Sequence, residues 1–263
     1  MQKLELKPAE RLIVAADFMP PEADSWVESG PYSGESTICS SKRKWVRRQV
    51  INLAQKLKGT GVYVKVNSAL RACGYDLIDE LHDNGLRVFA DLKLYDIDTT
   101  LKIDGKLLQE AKPDMLTTVC SAGVRAMKAL KAELPNTEVV GVTYLTSLGD
   151  DEALAMFMCS TTEAVERFAK VGEKAEIDGL ISSPSEAEAI REKFGVLMSI
   201  NTPAIRPKWA LVRGDDQNIK RTMTPELAIN AGADRIVVGR PITQSSDPYA
   251  AVMRTIEEIA RAA

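Results

Sequence analysis

The chain has 263 residues, 45% of them hydrophobic and 27% charged, with 16 Gly and 12 Pro. That usage excludes a disordered, collagenous or low-complexity protein, and the length suits a single α/β barrel domain over residues 1–263. Lys and Arg total 34 against 37 Asp and Glu, a net charge of −3, so no global field marks a nucleic-acid or acidic-membrane partner.

The pattern of residues predicts strands alternating with helices. In chain order it predicts a strand at Leu12–Asp17, a helix at Lys42–Lys58, a strand at Val62–Val66 and a helix at Tyr75–Asn84. A strand at Arg87–Leu92, a helix at Leu101–Ala111, a strand at Met115–Val119 and a helix at Val124–Leu134 follow. The second half predicts strands at Val139–Tyr144, Gly179–Ser182, Leu197–Asn201 and Arg235–Gly239. Between and after them come helices at Thr162–Ala175, Ser185–Phe194, Pro225–Ala231 and Pro248–Ala262. The strand runs are rich in β-branched residues and continuous in hydrophobicity, as parallel strands buried on both faces should be. Ser183-Pro184, Thr224-Pro225 and Asp247-Pro248 each set a capping side chain before a proline, and Gly85 stands where a helix should stop.

Eight strand–helix units point to a closed (β/α)8 TIM barrel. A doubly wound open sheet would be expected to carry a Gly-rich first turn, but here it reads Asp17-Phe18-Met19-Pro20-Pro21. Met19–Ser41 is rich in Pro, Ser and Gly and is too long for an ordinary strand–helix loop; it reads as a long insertion after the first strand, either a lid element over the C-terminal face or a neutral surface insertion. The basic run Lys42–Arg48 then reads as the solvated face of the first helix.

Cys39, Cys73, Cys120 and Cys159 are scattered without a C-x-x-C pair, which predicts reduced thiols and a cytoplasmic setting. Met1–Arg11 has no apolar core of the kind a secretory signal needs, and no window approaches the ~18 apolar residues of a membrane span. His82 is the only histidine, which removes any His-rich metal centre; alone on a helix it reads as structural.

The informative charges stand at strand ends. In Val88-Phe89-Ala90-Asp91-Leu92-Lys93-Leu94-Tyr95-Asp96, strand alternation puts Asp91 and Lys93 on one face. Lys65 lies near the end of the neighbouring strand, and Asp17 ends the first. Buried ions cost several kcal/mol each unless paired, so stability does not require them there. An alternating array Lys65–Asp91–Lys93–Asp96 at a barrel mouth suits a reaction that develops negative charge. The loops after strands 7 and 8 of such barrels often bind phosphate. Here they read Asn201-Thr202-Pro203-Ala204-Ile205-Arg206-Pro207 and Gly239-Arg240-Pro241, in which Arg240 offers a bidentate fork and Gly239 a close approach to the backbone. Asp215-Asp216 lacks an evident third metal ligand and reads as a turn.

Asp91-Leu92-Lys93-Leu94-Tyr95-Asp96-Ile97-Asp98-Thr99-Thr100, Leu145-Thr146-Ser147 and the paired phosphate-loop motifs together resemble the orotidine 5′-phosphate decarboxylases. The resemblance runs from Asp17 to Thr243. It implies a cofactor-free, metal-free homodimer that converts orotidine 5′-monophosphate to UMP in pyrimidine biosynthesis. Lys65, Asp91 and Lys93 would act from one subunit, while Asp96, Ile97 and Thr100 would complete the partner's site. Asp17 would hold the ribose and Thr146 would lie near the pyrimidine. Arg206, Gln217, Gly239 and Arg240 would take the phosphate, with Pro203 in the substrate-binding set. The family commonly has Gly at the position of Ala204, which predicts a different loop conformation here. A Mg²⁺-dependent sister group, similar to 3-keto-gulonate-6-phosphate decarboxylase and hexulose-6-phosphate synthase, shares the D-x-K-x-x-D pattern. It carries a Glu at the place of Lys65, where an ammonium would repel a metal. A non-catalytic nucleotide-phosphate-binding barrel is the other alternative, since a scaffold does not guarantee an activity.

Overall fold

Eight parallel strands close on themselves in the order in which they occur in the chain. They are β1 (Leu12–Ala15), β2 (Tyr63–Val66), β3 (Arg87–Leu94), β4 (Met115–Val119), β5 (Glu138–Val142), β6 (Gly179–Ile181), β7 (Ser199–Thr202) and β8 (Arg235–Val238). The computed structural model describes residues 5–22, 37–195, 198–211 and 223–262. β1 pairs with β2 on one side (Val14 with Val64) and with β8 on the other (Ile13 with Val237), which closes the (β/α)8 barrel expected from the sequence.

Each strand is buried on both faces, and that is why its sequence lacks polar alternation. Leu12, Val14, Val64, Val88 and Leu116 pack outward against the helices. Ile13, Tyr63, Phe89, Met115, Val140 and Val237 fill the barrel interior. Among the described residues no helix is long and apolar enough to cross a membrane, and Cys73, Cys120 and Cys159 are free thiols.

The departures from expectation are local. The first helix is Thr37–Leu57, so the end of the expected insertion is already helical; residues 23–36 lie outside the described residues. Helices at Ser68–Cys73, Asp150–Phe157 and Arg240–Thr243 were not expected, because pieces this short carry too few turns for a periodic signal. Thr224 and Asp247 cap their helices, their side chains accepting from the N–H groups of Leu227 and Ala250. Ser183 does not: the helix begins at Ala187, and the Ser183 N–H donates to the Glu186 carboxylate at 2.9 Å. Gly85 ends its helix as expected, with φ +71° and its N–H donating to the His82 carbonyl.

One device recurs around the barrel. Asp114, Asp178 and Asp234 each stand immediately before an even-numbered strand. Their carboxylates accept the N–H groups of Val88, Val139 and Ile200 in the preceding strand, at 2.7, 2.7 and 2.8 Å. Each is also held by a cation from a neighbouring helix: His82, Lys131 and Arg191 respectively. The aspartate thereby ties one strand, the next strand and a helix together. His82 is structural, as its setting implied.

Histidine is the side chain whose charge ordinarily changes near neutrality. The hydrogen bond of His82 with Asp114, 3.0 Å, raises its pKa above the ordinary 6.5 against the opposing effect of burial. A raised native pKa gives stability that is complete below 6.5 and is lost as pH rises through the native value. The native protein should therefore exceed His82→Gln in stability most at about pH 6, with the gap closing as the pH rises over the alkaline range past the raised native value. Urea unfolding of both proteins across that range measures this; a pH-independent gap would count against the ion pair.

Candidate active site

The C-terminal ends of the strands surround a cavity of about 800 Å³, within the range of small-molecule sites. Its floor is apolar: Ala15, Phe89, Val142, Ile181 and Val237 come up from the barrel interior. Two polar groups stand over this floor. One comprises Asp17, Lys65, Asp91 and Lys93, after or within β1 to β3. The other comprises Arg206, Gly239 and Arg240, after β7 and β8.

Asp91 organises the first group. Its side chain is 8% exposed, yet both its oxygens lie 2.7 Å from the Lys93 ammonium. Oδ2 also accepts from Lys65 at 3.1 Å and from the Asn67 amide at 3.3 Å, and Oδ1 from the Thr117 hydroxyl at 2.9 Å. Lys65, 11% exposed, donates as well to Asp17 at 3.0 Å. Burial opposes ionisation of Asp91, but the ammonium groups of Lys65 and Lys93 outweigh it and hold its pKa below the usual carboxylate value. Burial likewise opposes charge on Lys65, and the Asp91 and Asp17 carboxylates outweigh it and raise its pKa. Both groups are thus kept ionised in a largely desolvated place.

The backbone beneath this cluster is irregular. Ala90 pairs with Leu116 of β4, but the next register pair is Leu94 with Thr118. Asp91, Leu92 and Lys93 therefore stand opposite Thr117 alone, a bulge that bends a strand and re-aims its side chains. Lys93 takes the left-handed conformation at φ +50°, which costs a lysine on the order of 1–3 kcal/mol. Ala204 is also left-handed, at φ +64°. Glycine takes that conformation without strain, whereas an alanine holds it at a cost. Gly239, by contrast, has φ −107°, and a Cβ there would come no nearer than 3.6 Å to Ala15. The fold does not demand glycine there, and its absent side chain leaves the backbone open to the cavity.

Asp17, Lys65, Asp91, Lys93, Thr146, Pro203, Arg206, Gly239 and Arg240 all line this one cavity. Asp96 is not among the residues that line it. After Lys93 the chain leaves the barrel; the Asp96 carboxylate accepts the Ile97 N–H at 2.7 Å, and Tyr95 and Ile97 are each 65% exposed. Asp96 and Ile97 instead line a separate cleft with Ser121–Ala126, and Thr100 lies in the helix that follows. Gln217 and the Asp215-Asp216 pair lie outside the described residues. Thr117 and Asn67 were missed. Asn67 follows Lys65 by two and so shares its strand face, a legible signal, whereas a threonine in Met115–Val119 is ordinary strand composition.

The orotidine 5′-phosphate decarboxylase / HUMPS family model matches residues 10–255, a span that contains every residue of the cavity. The chain belongs to this family. It is 36% identical over 221 residues to orotidine 5′-phosphate decarboxylase of Pseudomonas fluorescens strain Pf0-1, covering 81% of this chain and 93% of that protein. Against the enzyme of that name from Streptococcus pyogenes serotype M3 it is 39% identical over 194 residues, covering 72% and 83% respectively. The crystal structure of orotidine 5′-phosphate decarboxylase from Lactobacillus acidophilus superposes with a TM-score of 0.71 at 27% identity, over 95% of this chain and 99% of that one. Both sides of the cavity thus fall within the span that the family model matches.

Removing one partner from a buried ion pair leaves the other uncompensated, whereas replacing both with apolar groups is often neutral or better. Asp91→Ala should therefore lose about 3 kcal/mol of unfolding free energy, and Lys65→Met with Asp91→Leu should recover most of it. Urea denaturation of the three proteins checks this. A double variant as unstable as the single one would mean that the charges serve the fold.

Proposed function

We propose that this chain is an orotidine 5′-phosphate decarboxylase that releases CO2 from orotidine 5′-monophosphate to give UMP in pyrimidine biosynthesis. The observation that carries the reading is the buried Lys65–Asp91–Lys93 cluster over an apolar floor, within a chain of this family. The bond from C6 of the pyrimidine to its carboxylate breaks, CO2 leaves, and the electron pair stays on C6. The ammonium of Lys93 stabilises that charge from a preorganised position and then delivers its proton to C6. The lysine regains a proton from water. No cofactor takes part. Asp91 holds Lys93 in place and meets the substrate carboxylate, and Lys65 balances Asp91.

Asp17 binds the ribose and Thr146 the pyrimidine. Pro203, Arg206, Gly239 and Arg240 enclose the phosphate, together with Gln217, and contacts to that distant group contribute binding energy to the reacting centre. The ammonium of Lys65 beside Asp91 opposes a divalent cation, which argues against the Mg²⁺-dependent chemistry of the sister group. The chain acts as one domain in the cytoplasm and as a homodimer. Exposed Tyr95 and Ile97, with Asp96 between them outside the chain's own cavity, support a second copy that receives Asp96, Ile97 and Thr100 into its site.

Protein treated with EDTA should convert orotidine 5′-monophosphate to UMP, followed by the change in ultraviolet absorbance; activity that required added Mg²⁺ would move the protein to the sister group. Lys93→Ala should abolish nearly all turnover while UMP still binds, measured by calorimetry, and retained turnover would remove Lys93 from the mechanism. Lys93→Ala and Asp96→Ala proteins, each inactive, should regain about a quarter of native activity when unfolded and refolded as an equal mixture, because random pairing restores one intact site in mixed dimers. No recovery would mean that Asp96 does not act across subunits.

A further inference from the structure

We propose that Thr117 is a positioning residue that locks Lys93 and Asp91 together, an inference that rests on the reading of Lys93 as proton donor. Its side chain is buried at the centre of β4, and the residue is 1% exposed. The hydroxyl accepts the Lys93 backbone N–H at 2.8 Å and donates to Asp91 Oδ1 at 2.9 Å. One oxygen thus joins the strained backbone of one charged residue to the carboxylate of the other.

The register explains why such a link is needed. Because the bulge sets Asp91, Leu92 and Lys93 opposite Thr117 alone, the regular ladder is interrupted there. The Lys93 N–H would be left unsatisfied in the barrel wall without the hydroxyl, and a left-handed lysine persists only where its surroundings fix it. Thr118 pins the far side of the bulge, donating to the Leu94 carbonyl at 2.9 Å. That bond touches neither charge. Thr117 alone couples backbone strain to the side chains, and its hydroxyl direction is determined: accepting from the N–H, it has its proton free for Asp91.

Valine has nearly the shape of threonine without the hydroxyl, and serine keeps the hydroxyl without the methyl. Thr117→Val should lower kcat by about 10- to 100-fold, the worth of one hydrogen bond to a charged group. KM should change by less than about threefold, since contacts to the substrate itself remain. Thr117→Ser should restore kcat to within about threefold of native. Urea midpoints confirm folding; if the valine variant does not fold, Thr117→Cys, whose thiol is a poor hydrogen-bonding group, should show the same loss.

Native kcat in the valine or cysteine variant, beside an inactive Lys93→Ala, overturns the role of Thr117 alone. So does a folded serine variant as impaired as valine, because the methyl rather than the hydroxyl would then matter. An inactive native protein, or an active Lys93→Ala, overturns the parent reading and this one with it.

Discussion

A carboxylate held between two ammonium groups at the end of a barrel is the constraint on which the rest of this structure depends. Taken singly, each of these ions would be expensive where it stands. Together with Asp17 they form a chain of alternating sign, Asp17–Lys65–Asp91–Lys93, in which every link is a hydrogen-bonded ion pair. The chain is neutral in sum, and Asn67 and Thr117 take further acceptor sites on Asp91. The apolar floor of Phe89, Val142 and Val237 keeps the local dielectric low, so these charges act on one another and on a ligand more strongly than in water.

Backbone strain is distributed in keeping with this. Among the described residues, five other than glycine have positive φ. Lys112, Met158 and Glu176 sit at the C-caps of helices, where a left-handed residue satisfies the last carbonyls at modest cost. Lys93 and Ala204 have no such role, and both line the cavity. The barrel tolerates them because its remaining seams are regular and are tied at the N-terminal ends by the repeated Asp114, Asp178 and Asp234 bridges. Rigidity at one end of the barrel supports irregularity at the other.

This division also explains what could be read from the residues alone. Burial on both faces leaves continuous apolar runs, so all eight strands were legible, with ends shifted by a residue or two. Charges inside those runs were conspicuous because hydrophobic burial forbids them without cause, and that was enough to find Lys65, Asp91 and Lys93. The bulge at Lys93 left no mark, since neither Leu92 nor Lys93 is a residue that left-handed geometry favours. Thr117 was silent for a related reason: threonine in a strand is unremarkable until its partner across the ladder is displaced. The Asp114, Asp178 and Asp234 repeat is visible only when the strands are superposed on one another, because the intervening helices differ in length.

The compact motif Asp91-x-Lys93-x-x-Asp96 does not gather its three charges in one cavity of this chain. Side chains of a strand repeat every two residues, so Asp91, Lys93 and Tyr95 would share a face, and Asp96 would point the other way even without a bulge. With the bulge the separation is greater: Asp91 and Lys93 turn into the cavity, and the chain then passes out over the rim to Asp96. The carboxylate three residues beyond Lys93 is therefore delivered to the surface, between the exposed side chains of Tyr95 and Ile97. One short run of backbone thus faces inward at Lys93 and outward at Asp96.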